Sequence, residues 1–468
     1  MKILFATSEA VPYWKTGGLA DVARALPDAL AARGHEVVVL LPLYAPVAAQ
    51  GLPLEEVGRT WLSWPDGPVP VRYLEHRPAS GARAVLVDQP DFFHTDRPYG
   101  ARSGDPLEPG LRFAFFCRAV VERARTWGAD VVHLNDWQTG LVPVYARMDG
   151  PPVVTVFAIH NLGYQGNFPP ELLPRIGIPW EFYRPEEGIE FYGHASFMKA
   201  GLALSDRLVT VSPTYAEEIQ RPEYGAGFDG LLRHRREVLS GILNGIDTRT
   251  WDPSTDPAVP VPYDAEHLER KEENREALLR ELGLDGDGPL FVMVTRLAHQ
   301  KGIDLLVSAL PRLLRRGVRI AVLGDGDPEY ERALARAAAG HPRRVAAFFR
   351  FDDGLARRLY AGGDFFLMPS LYEPCGLGQM IAQRYGTPPV VRRTGGLVDT
   401  VEDGRTGFVF EEASPRALCG AVERAIAAWR GPDWDELRRR CMRLDRSWAR
   451  SAAVYEALYE AARRGAGG

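Results

Sequence analysis

The sequence predicts an α/β protein built from two doubly wound, Rossmann-like domains that face a cleft. Three observations predict it. The chain opens with a strand–helix–strand alternation, the alternation starts afresh near residue 290, and a Pro- and Asp-rich stretch, "DPSTDPAVPVPYD" at 252–264, lies between the two runs. At 468 residues, 46% hydrophobic and 25% charged, the composition is globular and the length suits roughly two to four domains.

The elements follow in order. "KILFAT" at 2–7 is a short apolar run, which suits a buried strand. "LADVARALPDALAAR" at 19–33 has helical spacing, and Gly34 is placed to end that helix. "EVVVLLP" at 36–42 returns as a strand, so a parallel sheet covered by helices is expected. "ADVVHLNDW" at 129–137 and "PVVTVFAIHN" at 152–161 read as later strands of that sheet. Their polar residues arrive at the carboxyl ends, the edge where open parallel sheets bind ligands. In the second run, "LFVMVTRL" at 290–297 is a strand, "IDLLVSALPRLLRR" at 303–316 a helix, and "RIAVLGDGD" at 319–327 a strand and loop. "DFFLMPS" at 364–370 and "PPVVRR" at 388–393 continue the alternation. The segment 252–264 reads as a linker or irregular surface stretch, and the domain boundary falls near 241–250. The expected division is 1–243, 244–445, and a closing amphipathic helix within 446–468 that packs back on the first domain.

Bulk properties exclude several classes. A formal charge of −5 argues against a dedicated binder of nucleic acid or anionic membrane. No apolar run approaches the ~20 residues of a membrane helix. "MKILFATSEA" starts as a strand and meets an acid early, unlike a signal peptide. Cys117, Cys375, Cys419 and Cys441 form no CxxC pair, so reduced thiols, a cytoplasmic location and no zinc site are expected.

Lysine occurs only at positions 2, 15, 199, 271 and 301, and arginine supplies the other 51 basic residues. A lysine that survives such a bias marks a place for a compact ammonium that a forked guanidinium does not replace. Position adds weight for Lys15 and Lys301.

Four stretches carry chemistry. In "YWKTGGLADV" at 13–22, a glycine pair opens a helix and Lys15 stands beside its positive end. That suits a phosphate, because backbone N–H groups approach closely where side chains are absent. A plain strand-to-helix turn has the same wording. The stretch is neither GxGxxG nor a Walker loop. In "TRLAHQKGID" at 295–304, Arg296 and Lys301 flank a loop after a strand and suit a pyrophosphate. At ~4 Å and an effective dielectric of ~20, each such contact is worth about 4 kcal/mol before desolvation. A metal is then unnecessary, and no DxD-type acid cluster offers to hold one. In "PSLYEPCGLGQMIAQRYG" at 369–386, Glu373 precedes Pro374 and a helix expected near Gly376, where a carboxylate can accept hydrogen bonds from sugar hydroxyls. In "HLNDWQTG" at 133–140 and "AIHNLGYQG" at 158–166, Asp136, His160, Asn161 and Tyr164 follow apolar strands and gather sugar-type hydrogen-bonding groups on one edge. "NGID" at 244–247 adds an amide and an acid at a turn.

Together "KTGGLADV", "HNLGYQG", "RLAHQKGIDLL", "EPCGLGQM" and "VRRTGGLVDTV" resemble the bacterial glycogen synthases and plant starch synthases, from residue 1 to roughly 460. That resemblance implies the two-domain GT-B architecture. It also implies transfer of glucose from ADP-glucose to the 4-OH at the non-reducing end of an α-1,4-glucan such as glycogen, with retention and without a cofactor. By the same resemblance Lys15, Gly17 and Gly18, with Asp21, lie at the donor's phosphates and sugar. Arg296 and Lys301 hold the pyrophosphate from the other domain, so charge from both halves meets when the cleft closes. Glu373, His160, Asp136, Asn161 and Asn244 attend the glucosyl unit, with the His160 carbonyl toward the anomeric carbon. Phe351, Cys375, Gly376, Leu377, Thr394 and Gly395 complete the implied donor site. Three positions depart from the family's habit: Asn135 where histidine is usual, Phe351 where an adenine-stacking tyrosine is usual, and Phe93 near a usual sugar-binding tyrosine. They bear on fine specificity rather than on the reaction. Rival readings are a UDP-glucose-dependent synthase, a pyridoxal-phosphate glucan phosphorylase, a non-catalytic glucan binder, and a nicotinamide oxidoreductase, the last disfavoured by the missing GxGxxG.

Overall fold

The computed structural model describes residues 1–466 apart from 80, 103 and 150–152. The chain forms two compact units, Met1–Asn244 with Trp448–Gly468, and Gly245–Ser447.

The first unit is built on a nine-stranded sheet. Its order is Leu239–Gly241, Arg207–Thr210, Thr155–Ile159, Val131–Asn135, Lys2–Ala6, Glu36–Pro42, Arg83–Asp88, Val69–His76, Glu55–Leu62. The strands through Arg83–Asp88 run parallel and the last two antiparallel. Val131–Asn135 and Thr155–Ile159 are buried at every position, which explains their unbroken apolar sequences. Pro152, the start of the strand expected at 152–161, lies outside the described residues. The sequence reading assigned nothing to 55–88. There the antiparallel strands mix charged and apolar residues, as a sheet's solvated margin does. The helix Gly18–Ala32 ends where expected, with Gly34 at φ +88°.

The closing helix begins at Trp448, two residues later than the reading, and runs to Ala466. It packs on Gly18–Ala32 and places Trp448, Ala452, Tyr455 and Tyr459 in the core beside Phe5, Leu26 and Leu30. The Tyr459 hydroxyl meets His133 Nδ1 at 3.0 Å, and Ser451 Oγ donates to the Leu243 carbonyl at 2.5 Å. His133 is fully buried and stacks on Phe5 at 4.5 Å. Burial pushes its pKa down from 6.5 to about 3. A depressed histidine pKa gives stability that is complete above 6.5 and drains away as pH falls toward that folded value. Equilibrium urea unfolding of His133→Gln should therefore show a shallower acid loss than the parent, by one proton or about 1.4 kcal/mol per pH unit. Parallel curves for the two proteins would remove His133 from the acid response.

The second unit holds a six-stranded parallel sheet. Its order is Val345–Phe348, Arg319–Leu323, Leu290–Val294, Phe365–Met368, Pro389–Arg392, Phe408–Phe410. Helix Ile303–Arg315 covers one face through Ile303, Leu306, Leu310 and Leu313. The stretch 252–264 is irregular, but it is not a surface linker. Asp256, Val259 and Tyr263 are buried. Tyr263 donates its hydroxyl proton to the Tyr385 carbonyl at 2.8 Å, and Asp256 accepts from Arg357 at 3.0 Å and from the Tyr385 hydroxyl. Its prolines and aspartates build turns, and its apolar residues pin those turns to the unit. Among the described residues no helix is long and apolar enough to cross a membrane.

Candidate active site

In the first unit the strand Lys2–Ala6 delivers Glu9 beneath the glycine loop. Glu9 is 4% exposed and accepts from the Thr16 amide at 2.5 Å and the Thr16 hydroxyl at 2.9 Å. The Gly17 amide also faces this carboxylate, and burial, opposed by these bonds, raises its pKa. One of the two amides expected to face a phosphate, that of Gly17, is thus turned toward Glu9, which with the Thr16 contacts anchors the loop from within. Lys15 is half-exposed and pairs with Asp21 at 2.7 Å. A Cβ on Gly17 would meet only Glu9, at 4.0 Å, so that side of the loop is open to a ligand. Removing the anchor forces the donor to order the loop. Glu9→Ala should cut kcat/KM for the donor by about 10- to 100-fold, chiefly through KM, since hydrogen bonds to a charged group carry roughly 1.5–3 kcal/mol. Steady-state kinetics with donor varied at saturating acceptor reads this directly, and an unchanged KM would refute the anchoring role.

The carboxyl ends of Val131–Asn135 and Thr155–Ile159 bring Asp136 and His160 together. Asp136 has φ +55° with ψ −173°, outside the left-handed helical well and in a strained region that glycine adopts far more readily than any other residue. Its Oδ1 accepts from the His160 amide at 2.7 Å and the Asn161 amide at 3.4 Å. Burial pushes its pKa up to about 7 against those amides. His160 is half-buried, its ring bonded through Nε2 to Asn135 Oδ1 at 2.8 Å, and burial holds its pKa near 4. The imidazole is therefore neutral at physiological pH. Asn161 spends its side-chain oxygen on the Gly163 amide at 3.0 Å, a local turn. Asn244 is 8% exposed, and its Oδ1 has no protein partner. Tyr164 is exposed, whereas Phe93 is fully buried among Phe92, Phe115 and Phe116 and offers no face to a sugar.

In the second unit two loops after parallel strands interlock. The Leu371 amide donates to the Gln300 carbonyl at 2.8 Å, and Gln300 Nε2 donates to the Tyr372 carbonyl at 3.2 Å. Gly302 has φ +66°, and a Cβ there would sit 2.1 Å from the Pro369 carbonyl. Lys301 is thereby set against Glu373, at 2.7 Å from Oε2. The Ser370 hydroxyl donates to the same oxygen at 3.0 Å. Both partners thus sit on Oε2, and Oε1 remains available to accept from ligand hydroxyls. Buried Arg392 fixes the loop from behind through the Ser370 and Leu371 carbonyls. Arg296 is exposed and makes no ion pair among the described residues. A carboxylate with a committed and a free oxygen, an ammonium and an unpaired guanidinium suit a hydroxylated sugar carrying an anionic leaving group.

The second TGGL loop serves differently from the first. A Cβ on Gly395 (φ +45°) would lie 2.0 Å from the Glu373 carbonyl, and one on Gly396 would lie 2.4 Å from the Cys375 carbonyl. These glycines let Thr394 and its helix pack directly on the Glu373 loop. Cys375 is buried, Gly376 turns at φ +76°, and the following helix starts at Gly378 after Leu377, two residues beyond the expected Gly376. Phe351 is 80% exposed, a bare ring beyond the strand Val345–Phe348. Glu9, Gln300, Ser370 and Arg392 were missed by sequence reasoning. Of these only Ser370, three residues before Glu373, carried a local signal.

Comparison with known proteins gives the family and the fold. Residues 2–234 match the starch synthase catalytic domain model, and residues 288–428 match the glycosyl transferases group 1 model. The chain is 50% identical to a glycogen synthase of Anaeromyxobacter dehalogenans, over 98% of this chain and 99% of that one. It is 45% identical to a glycogen synthase of Syntrophotalea carbinolica, over 99% of each. The structure resembles the catalytic domain of starch synthase IV from Arabidopsis thaliana bound to ADP and acarbose, with TM-score 0.89 and 32% identity over 99% of each chain. A sucrose-phosphate synthase from Thermosynechococcus elongatus shares the fold at TM-score 0.62 and 21% identity over 98% of each chain.

Proposed function

Because the chain belongs to the glycogen and starch synthase family of glucosyltransferases, we propose that its donor is ADP-glucose and its acceptor the non-reducing 4-OH of an α-1,4-glucan such as glycogen, with retention of configuration. The observation that carries the assignment of roles is the Lys301–Glu373–Ser370 cluster at the carboxyl edge of the second sheet. Arg296 and Lys301 take the diphosphate. Lys15, set beside the Gly17–Gly18 helix start with Asp21, takes a donor oxygen. Asp136, His160, Asn161 and Asn244 meet the glucosyl unit. Phe351, Cys375, Gly376, Leu377, Thr394 and Gly395 complete the donor site.

Departure of the nucleoside diphosphate places negative charge on a phosphate oxygen and positive character on the sugar. Fixed cations lower that barrier without reorganising as charge develops. The Glu373 carboxylate, with Oε2 held by an ammonium and a hydroxyl, keeps Oε1 to accept hydrogen bonds from sugar hydroxyls. That favours same-face attack, the acceptor hydroxyl passing its proton to the departing phosphate, over a covalent glucosyl–Glu373 intermediate. A cytoplasmic location accords with four buried free thiols.

The test is nucleoside diphosphate release from ADP-glucose and UDP-glucose, each with and without glycogen, together with the anomeric configuration of the product. Glycogen-dependent ADP release and α-linked product are expected. A preference for UDP-glucose would overturn the donor assignment, and a β-linked product would overturn retention.

A further inference from the structure

The family's reaction leaves unexplained the amide at position 135. Asn135 is fully buried at the end of the central strand Val131–Asn135. Its Nδ2 donates to the Ala6 carbonyl at 2.8 Å, and its Oδ1 lies 2.8 Å from His160 Nε2. These contacts fix one another chemically. A backbone carbonyl can only accept, so whichever amide atom faces Ala6 must be the nitrogen. The oxygen therefore faces the imidazole, and an amide oxygen can only accept. The ring nitrogen beside it must carry the proton.

We propose that Asn135 is a positioning residue that locks His160 in the Nε2–H tautomer, so that Nδ1 presents a lone pair to the substrate. The surroundings leave this preference unopposed. Asp136 accepts from the His160 backbone rather than from the ring. Glu9 acts on Asp136 only through space. His133, two residues before Asn135 on the same face of the strand, is itself neutral, engages Tyr459 of the closing helix, and also meets the Asn135 side chain, whose amide oxygen has a second lone pair to offer it. Among the described residues Nδ1 has no hydrogen-bond partner. A hydroxyl that meets His160 must then donate its proton, and a group with none to donate is rejected. Asparagine has no second tautomer, so a single ring state follows.

The tautomer stands on the local geometry alone, whereas its catalytic consequence rests on placing His160 in the donor site. The experiment separates the two. In full-length protein labelled with [15N]histidine, multiple-bond 1H–15N correlation should show His160, assigned by its loss in His160→Gln, with Nε2 protonated and Nδ1 bare across neutral pH. A proton on Nδ1, or a rapidly exchanging mixture, overturns the proposal. Asn135→Leu keeps the volume and removes the acceptor. It should mix the two tautomers and lower kcat by about 10- to 100-fold, the scale seen when a group orienting a functional histidine is removed. Asn135→Asp keeps an acceptor and adds a charge, so both ring nitrogens should become protonated near neutrality and the pH profile of kcat should shift. A leucine variant with the parent's spectrum and kcat overturns the positioning role. An Nε2–H spectrum together with full activity in His160→Gln would sink the site assignment and leave the tautomer standing.

Discussion

Lys301→Ala will lose about 10²- to 10³-fold in kcat, the cost of removing one preorganised donor from a developing anion, or ~2.7–4 kcal/mol. The ammonium contacts Glu373 Oε2 at 2.7 Å, with the two side chains 15% and 7% exposed. Its removal acts twice. In the role proposed for Lys301 the leaving diphosphate loses a fixed cation, and in the structure the Glu373 carboxylate loses its counter-charge. Lys301→Arg should recover only part of the rate, since a planar fork does not reproduce a point contact in this slot. Saturation kinetics on purified protein, with urea unfolding as the control for folding, checks both. Parent-like turnover in Lys301→Ala contradicts the role given.

Asp136→Asn should lower kcat by an amount of the same order, about 10²-fold or more, while making the fold no less stable. Asparagine matches aspartate in shape, so the strained backbone at φ +55° is carried over unchanged, and its amide oxygen still accepts from the His160 amide. Only the charge is lost. Burial raises the Asp136 pKa from 3.8 to about 7, so ionisation is disfavoured by the fold. The sign follows. A raised carboxyl pKa gives stability that is complete below 3.8 and disappears as pH climbs through about 7. The parent should lose stability over that interval by up to about 1.4 kcal/mol per pH unit, and the variant should not. Its activity should also lack any limb near neutrality that reports this carboxylate. A variant that matches the parent in rate, or that is less stable at alkaline pH, rules out this account.

Much of the fold was legible because parallel strands buried on both faces announce themselves as unbroken apolar runs. "EVVVLLP" forms a strand over all of Glu36–Pro42, and "DFFLMPS" over Phe365–Met368. The antiparallel margin at 55–76 escaped because its strands mix signs and sizes. The irregular stretch 252–264 escaped because Pro and Asp mark turns whether or not the turns are buried. In the candidate site, the motif residues were legible and their supports were not. Glu373 depends on Lys301, 72 positions away, and His160 on Asn135, 25 positions away, pairings that no local pattern encodes. The scarcity of lysine has a structural meaning that position did not suggest. Lys199 clamps the Pro185 and Glu190 carbonyls, and Lys271 holds those of Tyr360 and Ala361 with the Thr387 hydroxyl, so a compact ammonium is retained for structure too. The paired TGGL wording likewise covers two uses, an uncrowded turn at Gly17 and close backbone packing at 395–396.

The closing helix has a consequence for how the molecule is made. Ribosomes deliver Met1–Asn244 first, but the hydrophobic centre of that part is incomplete without Trp448, Tyr455 and Tyr459, which are made only after the whole second unit. The uninterrupted stretch Gly245–Ser447 can close as soon as it is made, and the earlier stretch must wait for the closing helix. Nascent chains stalled before that helix should present a finished second unit and an unfinished first, exposed to proteases and chaperones until the helix arrives.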